Sequence, residues 1–221
     1  MCGRCCAGKI IMAGPHEILG MSRVLGIGTT AFISLYADSG GTALQADDTG
    51  RCVFLTPSGC RVHARRPLVC RLYPLGRAID ERGVESFAIF PKEPECEAEA
   101  GNEGTVDAYL ESQGVEPYLG WARLYGHLYR RMIGLLDRMG TEEERETPAA
   151  DTAPGAEPAK PDEGPEHSLL SPWQDIDATL AEYCAVKGIL TPQGIEESIE
   201  LHVRAMREWL DDLEFRLGTA P

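Results

Sequence analysis

Seven of the chain's eight cysteines fall within its first 96 residues: Cys2, Cys5, Cys6, Cys52, Cys60, Cys70 and Cys96. Only Cys184 stands apart. This crowding constrains the fold more than any other feature, because exposed thiols oxidise unless something binds or buries them. No basic stretch followed by an apolar run precedes them, so no secretory signal is read. The longest uncharged run, residues 24–37, falls short of the ~20 apolar residues of a membrane span. The expectation is a soluble, cytoplasmic chain with no membrane partner. Reduced thiols there favour metal ligation or thiol chemistry over a disulfide framework. With 43% hydrophobic residues in 221, the chain can build a core, and wholesale disorder is excluded.

The formal charge of −14 argues against nucleic acid as a partner, but it is unevenly placed. Residues 142–166 hold nine acids against Arg145 and Lys160. Residues 51–77 hold six arginines (Arg51, Arg61, Arg65, Arg66, Arg71, Arg77) and no acid, so the cysteine neighbourhood is locally basic. Residues 141–166 also lack any large apolar side chain. Such a segment cannot offset its ordering entropy by burial and reads as a disordered acidic linker. The expected organisation is a cysteine-cluster domain over 1–140, a linker over 141–168 and a helical hairpin-like element over 169–221.

Within the first domain, residues 17–25 read as a short helix, and 30–37 and 42–46 as strands around the Ser39-Gly40-Gly41 turn. Residues 75–80 and 84–90 flank Glu81-Arg82-Gly83 as a hairpin. Thr105 is placed to cap a helix reaching Gln113. After Pro117, Tyr118, Trp121, Tyr125, Leu128, Met132, Leu136 and Met139 share one helical face that ends before Gly140. Beyond the linker, Ser171-Pro172 starts a helix on which Ile176, Leu180 and Cys184 repeat at four-residue spacing, and Gly188 stops it. Cys184 is thereby assigned to packing. The stripe Ile195, Ile199, Val203, Met206, Leu210, Leu213, Leu217 marks a long amphipathic helix that needs a partner surface, whether in this chain or in another protein.

The informative constellation begins with Cys2-Gly3-Arg4-Cys5-Cys6. Two thiols separated by two residues can face one metal, and Gly3 permits the positive φ that such knuckles use. Vicinal Cys5 and Cys6 diverge at Cβ and suit different atoms of a cluster or different sites. Cys52-Val-Phe-Leu follows, then Cys60-Arg-Val-His63-Ala-Arg-Arg66-Pro67-Leu-Val-Cys70-Arg71-Leu-Tyr73-Pro74, then Cys96. His63 is read as a surface or hydrogen-bonded residue rather than a ligand. Arg4, Arg51, Arg61 and Arg71 adjoin cysteines and would offset the charge of an anionic thiolate centre.

On these residues the chain resembles the CxxCxxCC family of zinc- or iron-chelating proteins, also called YkgJ-type cysteine-cluster proteins. The resemblance covers residues 1–96, and the RP-xx-CR-x-YP block makes it specific. It implies a metal held by Cys2, Cys5, Cys6, Cys52, Cys60, Cys70 and Cys96. It also implies a further cysteine three residues before Cys2, which would lie ahead of Met1. Relatives that methylate flagellin lysines carry an iron–sulfur cluster, but no glycine fingerprint for S-adenosylmethionine stands in this sequence.

Seven thiols exceed the four that one tetrahedral ion takes. Irregular spacing and vicinal cysteines place an iron–sulfur cluster ahead of zinc. The fold class expected is α+β: a small, irregular, cysteine-rich metal-binding domain with short hairpins and helices, then a C-terminal helical segment. The function expected is metal binding, with a role in metal handling or electron transfer. A protein lysine N-methyltransferase and a non-catalytic scaffold are the alternatives.

Overall fold

The computed structural model describes residues 3–38, 41–80, 82–90, 104–146 and 173–218, with the side chains of 140–146 excepted. Its helices are α1 (Pro15–Leu25), α2 (Thr29–Tyr36), α3 (Leu68–Leu72), α4 (Val106–Ser112), α5 (Tyr118–Glu146), α6 (Ile176–Lys187) and α7 (Ile195–Arg216). Two antiparallel hairpins join β1 (Leu55–Thr56) to β2 (Gly59–Cys60) and β3 (Leu75–Ile79) to β4 (Glu85–Ile89). Short 3-10 turns cover Arg4–Cys6 and His63–Arg65. The class is α+β, with a cysteine-rich N-terminal region and helices at the C-terminal end. Among the described residues no single helix is long and apolar enough to cross a membrane.

The chain divides into two units. One combines Met1–Ala122 with Gln174–Ala178; the other combines Arg123–Trp173 with Thr179–Pro221.

In the first unit, Gly14 begins α1, Pro15 supplies its first residue and Gly26 ends it in the left-handed conformation, the ordinary punctuation of a helix. Residues 30–37, expected as a strand, instead fall on helix α2 and its C-cap Ala37. Their β-branched Thr30 and Ile33 favour a strand by local propensity, which spans only ~1 kcal/mol. Tertiary context outweighs it. Thr29 and Phe32, three residues apart, are both buried, and the Asp177 carboxylate accepts the Thr29 amide at 2.8 Å, satisfying a donor that α2 leaves open. Residues 42–46, also expected as a strand, make only single bridges: Ala43 with Met12, Leu44 with Ala37, and Ala46 with Cys52. Of the turn expected between these two segments, Ser39 and Gly40 lie outside the described residues.

One core of this unit gathers Ile18, Met21, Phe32, Phe54 and Val62. Phe32 stacks on Phe54 at 5.7 Å and Tyr36 closes against Phe54 at 4.9 Å. A second cluster joins Leu68, Leu72, Leu75, Val115 and Tyr118. The β3–β4 hairpin forms as read, with Arg77 opposite Phe87 and an Asp80 carboxylate taking the Arg82 and Val84 amides in the turn. Thr105 caps α4 by accepting the Ala108 amide.

Gln174–Ala178 completes this unit through a polar knot. Arg23 donates both Nη groups to the Asp177 carboxylate at 2.9 and 2.5 Å. Thr29 and Thr30 donate their hydroxyls to the two oxygens of Asp175, each at 2.6 Å. Asp175 also accepts the Ala178 amide, as a helix N-cap does. Burial works against the charge of Asp177, but the Arg23 guanidinium and the Thr29 amide outweigh it and hold the carboxyl below its ordinary range.

His16 is 4% exposed, with the rings of Tyr118 and Trp121 at 6.5 and 5.7 Å. Burial pulls its pKa down to about 3. The unfolded chain therefore takes up a proton near pH 6.5 while the folded chain does not, and stability falls as pH drops from about 6.5 toward 3. By pH 5 the loss assignable to His16 is about 2 kcal/mol. Urea unfolding at pH 7 and pH 5 should show that difference in the wild type and lose it in His16→Gln; equal pH slopes in the two proteins would contradict it.

In the second unit, helix α5 continues past Gly140 to Glu146, where the sequence suggested a stop. One glycine inside a helix costs only ~1 kcal/mol relative to alanine, and the Glu and Arg residues beyond it are good helix formers. The rest of the expected linker, residues 147–168, and Ser171-Pro172 lie outside the described residues. Beyond Ala122, Tyr125, Leu128, Met132 and Leu135 are the buried positions of α5 among its described side chains, so Leu135 rather than Leu136 faces inward. Ile199, Val203, Met206 and Leu210 of α7 are buried, so the chain itself covers the centre of the amphipathic stripe. His202, fully buried, pairs with the Tyr125 hydroxyl at 2.8 Å. On α6, Cys184 is 3% exposed, as its spacing indicated.

Candidate metal centre

The cysteines ride on the least regular parts of the first unit. Cys5 and Cys6 occupy the Arg4–Cys6 turn, which Gly3 enters at φ 67°. A Cβ at Gly3 would stand 3.0 Å from Leu55 Cδ1, so the missing side chain also lets the turn seat on β1. Cys60 pairs with Leu55 across the β1–β2 hairpin. Cys52 donates its amide to the Cys6 carbonyl at 2.8 Å, tying the second cysteine segment to the first. Cys70 sits in the middle of α3. Cys52, Cys60 and Cys70 all pack on the core of Phe32 and Phe54.

Four stretches of chain thus bring Cys5, Cys6, Cys52, Cys60 and Cys70 to one neighbourhood. Cys2 and Cys96 lie outside the described residues. The Sγ atoms of Cys5 and Cys6 are 4.0 Å apart. Among the described residues no three of His, Cys, Asp or Glu stand at the spacing of a single-ion site. All six described cysteines are free thiols.

The electrostatics show what the group lacks as protein alone. A hydrogen bond from Cys6 supports the Cys5 thiolate and, with Lys9, lowers its pKa to about 6 against the effect of burial. Cys6 is pushed up by the same bond, by burial, and by the charges of Cys5, Cys52 and Cys70. Burial raises Cys52, with Cys60 adding to it. Burial also raises Cys70 to about 12, and Cys52, Cys60, Glu17 and Cys5 push in the same direction. Neighbouring thiolate charges therefore oppose ionisation of Cys6, Cys52 and Cys70, and a cation among them would remove that repulsion. The donors are uniformly soft sulfur, which fits zinc or an iron–sulfur cluster and is foreign to magnesium or calcium.

The basic shell expected from sequence is arranged differently. Arg4, Arg51 and Arg61 are exposed, and so is His63. Arg71 is 8% exposed and directs its donors at protein groups. Nε reaches the Arg66 carbonyl, Nη1 the Gln113 carbonyl, and Nη2 the Ala64 carbonyl and the Tyr118 hydroxyl, at 2.9–3.2 Å. Lys9 is the cation that acts on Cys5, and nothing in its local sequence marked it. After Cys70, α3 ends at Leu72 and the Tyr73–Pro74 peptide is cis, with the Tyr109 hydroxyl donating to the Tyr73 carbonyl.

Residues 1–97, rather less than half the chain, match the model of the CxxCxxCC family, described as "putative zinc- or iron-chelating domain". Metal chelation is the chemistry this match carries. Comparisons with curated proteins and with solved structures give no match.

Proposed function

We propose, from a CxxCxxCC-type N-terminal unit, that this protein binds an iron–sulfur cluster through thiolates drawn from Cys2, Cys5, Cys6, Cys52, Cys60, Cys70 and Cys96. The observation that carries the proposal is the meeting of Cys6 with Cys52, and of Cys52, Cys60 and Cys70 on one core, from segments far apart in sequence. Four of the seven thiols suffice for one cluster, and vicinal Cys5 and Cys6 suit separate iron atoms better than one tetrahedral ion. Bound there, the cluster supplies one-electron redox chemistry. The chain's own residues hold the thiols on short elements at the edge of the core and support the Cys5 thiolate through Cys6 and Lys9. Electron transfer or metal handling in the reducing cytoplasm is the role this chemistry suits. Zinc is the competing occupant.

Anaerobically purified protein should carry stoichiometric iron and show the broad visible absorption of an iron–sulfur chromophore. Cys5→Ser and Cys70→Ser should each lower the iron content. Stoichiometric zinc with a colourless solution would replace the cluster by an ion, and metal-free protein with unchanged stability would remove the chelating function altogether.

A further inference from the structure

We propose that Glu17 is the positioning residue for Cys70: one buried carboxylate caps two helices at once and thereby sets where α3 presents its thiol. The proposal rests on the chelating function argued above. Helix α3 has only five residues, too few to hold itself, and Pro67 at its N-cap offers no side-chain acceptor. Its first amide, that of buried Leu68, instead donates to Glu17 Oε1 from 51 residues away in sequence. The other oxygen of the same carboxylate accepts the Gly14 amide at 2.6 Å, at the start of α1. Helix α1 is buried from Pro15 to Ser22 and forms a fixed frame. Glu17 transfers that frame to α3, and Cys70 lies two residues beyond the amide it holds.

Glu17 itself is 5% exposed, a position a carboxylate rarely occupies without partners. Burial raises its pKa, and against that both of its oxygens are matched by backbone donors and Arg71, on α3 itself, attracts its charge. Glutamine cannot reproduce this: its single carbonyl oxygen serves one amide, and its NH2 then confronts the other. Aspartate keeps the charge but is one methylene short of spanning both.

The test uses the full chain, purified with its metal. Wild type, Glu17→Gln, Glu17→Asp and a core control in the second unit, Leu210→Ala, at a position 1% exposed, are mixed with a chromogenic chelator well below their unfolding temperatures, and metal release is followed. Groups that orient a metal ligand from behind are typically worth 10- to 100-fold in metal affinity. Both Glu17 variants should therefore release metal on the order of ten times faster than wild type or more, and Leu210→Ala, though less stable, should release it at the wild-type rate. If Glu17→Gln fails to fold, Glu17→Asp carries the test. Release at the wild-type rate from the Glu17 variants, or equal acceleration in Leu210→Ala, overturns the positioning role. A wild type that holds no metal overturns the chelating function and this inference together, so the two failures are told apart.

Discussion

Stripping the metal with a strong chelator should lower the unfolding free energy by about 4 kcal/mol or more, the stabilisation that a ligand gives when it is present at a thousand times its Kd. The reason lies in how little else fixes the cysteine segments. Strands β1 and β2 have two residues each, α3 has five, and the chain from Ala43 to Cys52 is pinned by single bridges. Isolated two-stranded pairing and one-turn helices have little stability of their own in water. The core of Phe32 and Phe54 lies beneath these segments, so the metal-free chain retains a nucleus but loses the cross-links above it. Binding free energies of ~10–16 kcal/mol for structural zinc in small domains set the upper end of the effect. Urea titrations of loaded and stripped protein measure it, with re-addition of metal restoring the curve. Superimposable titrations would show that the thiols hold nothing that matters to the fold.

Arg71→Met should destabilise the protein by about 3–5 kcal/mol, the range seen when one member of a buried charged network is removed. Its guanidinium serves three backbone carbonyls and the Tyr118 hydroxyl, and lies 4.0 Å above the Tyr118 ring. Those carbonyls belong to Ala64, Arg66 and Gln113, so one side chain joins the loop before α3 to the end of α4. Methionine fills the volume and leaves every acceptor unsatisfied. Arg71→Lys should recover little, because an ammonium offers three donors at one point where the fork reaches in several directions. Tyr118→Phe removes only one of the bonds and should lose about 1.5–3 kcal/mol, typical of a hydrogen bond to a charged group. Equilibrium urea unfolding orders the three. A methionine variant within about 1 kcal/mol of wild type would show that the carbonyls are satisfied without Arg71.

The contrast between these two predictions tracks what the sequence makes legible. The β3–β4 hairpin, the Thr105 cap and the α7 stripe all depend on residues close together, and each is read correctly from pattern alone. Arg71 stood out as a charge beside a cysteine, yet its partners are carbonyls, which every residue carries and which leave no trace in sequence. Glu17 looked like an ordinary residue in the first turn of a helix, and its second bond, to Leu68, is invisible without the fold. Helix α2 was misread because its burial and its cap depend on Phe54 and Asp177, the latter 148 residues beyond Thr29. Local propensity differs by too little to decide such a segment once distant contacts weigh in. On α5 the helical period was clear, but Leu135 and Leu136 differ only by 100° around the axis, and the sequence offers two adjacent leucines for one inward position.

The knot that Asp175 and Asp177 make with Arg23, Thr29 and Thr30 has a consequence for biosynthesis. When residue 122 leaves the ribosome, the first unit is still missing the five residues that fasten α1 to α2. At ~5–20 residues per second, several seconds pass before Ala178 is made. During that interval the nascent chain carries its cysteines with an open seam at Thr29, and metal delivered early meets an unfinished fold. Closure of the seam therefore waits on translation of Gln174–Ala178, and an expression fragment ending before Gln174 would reproduce the waiting state permanently.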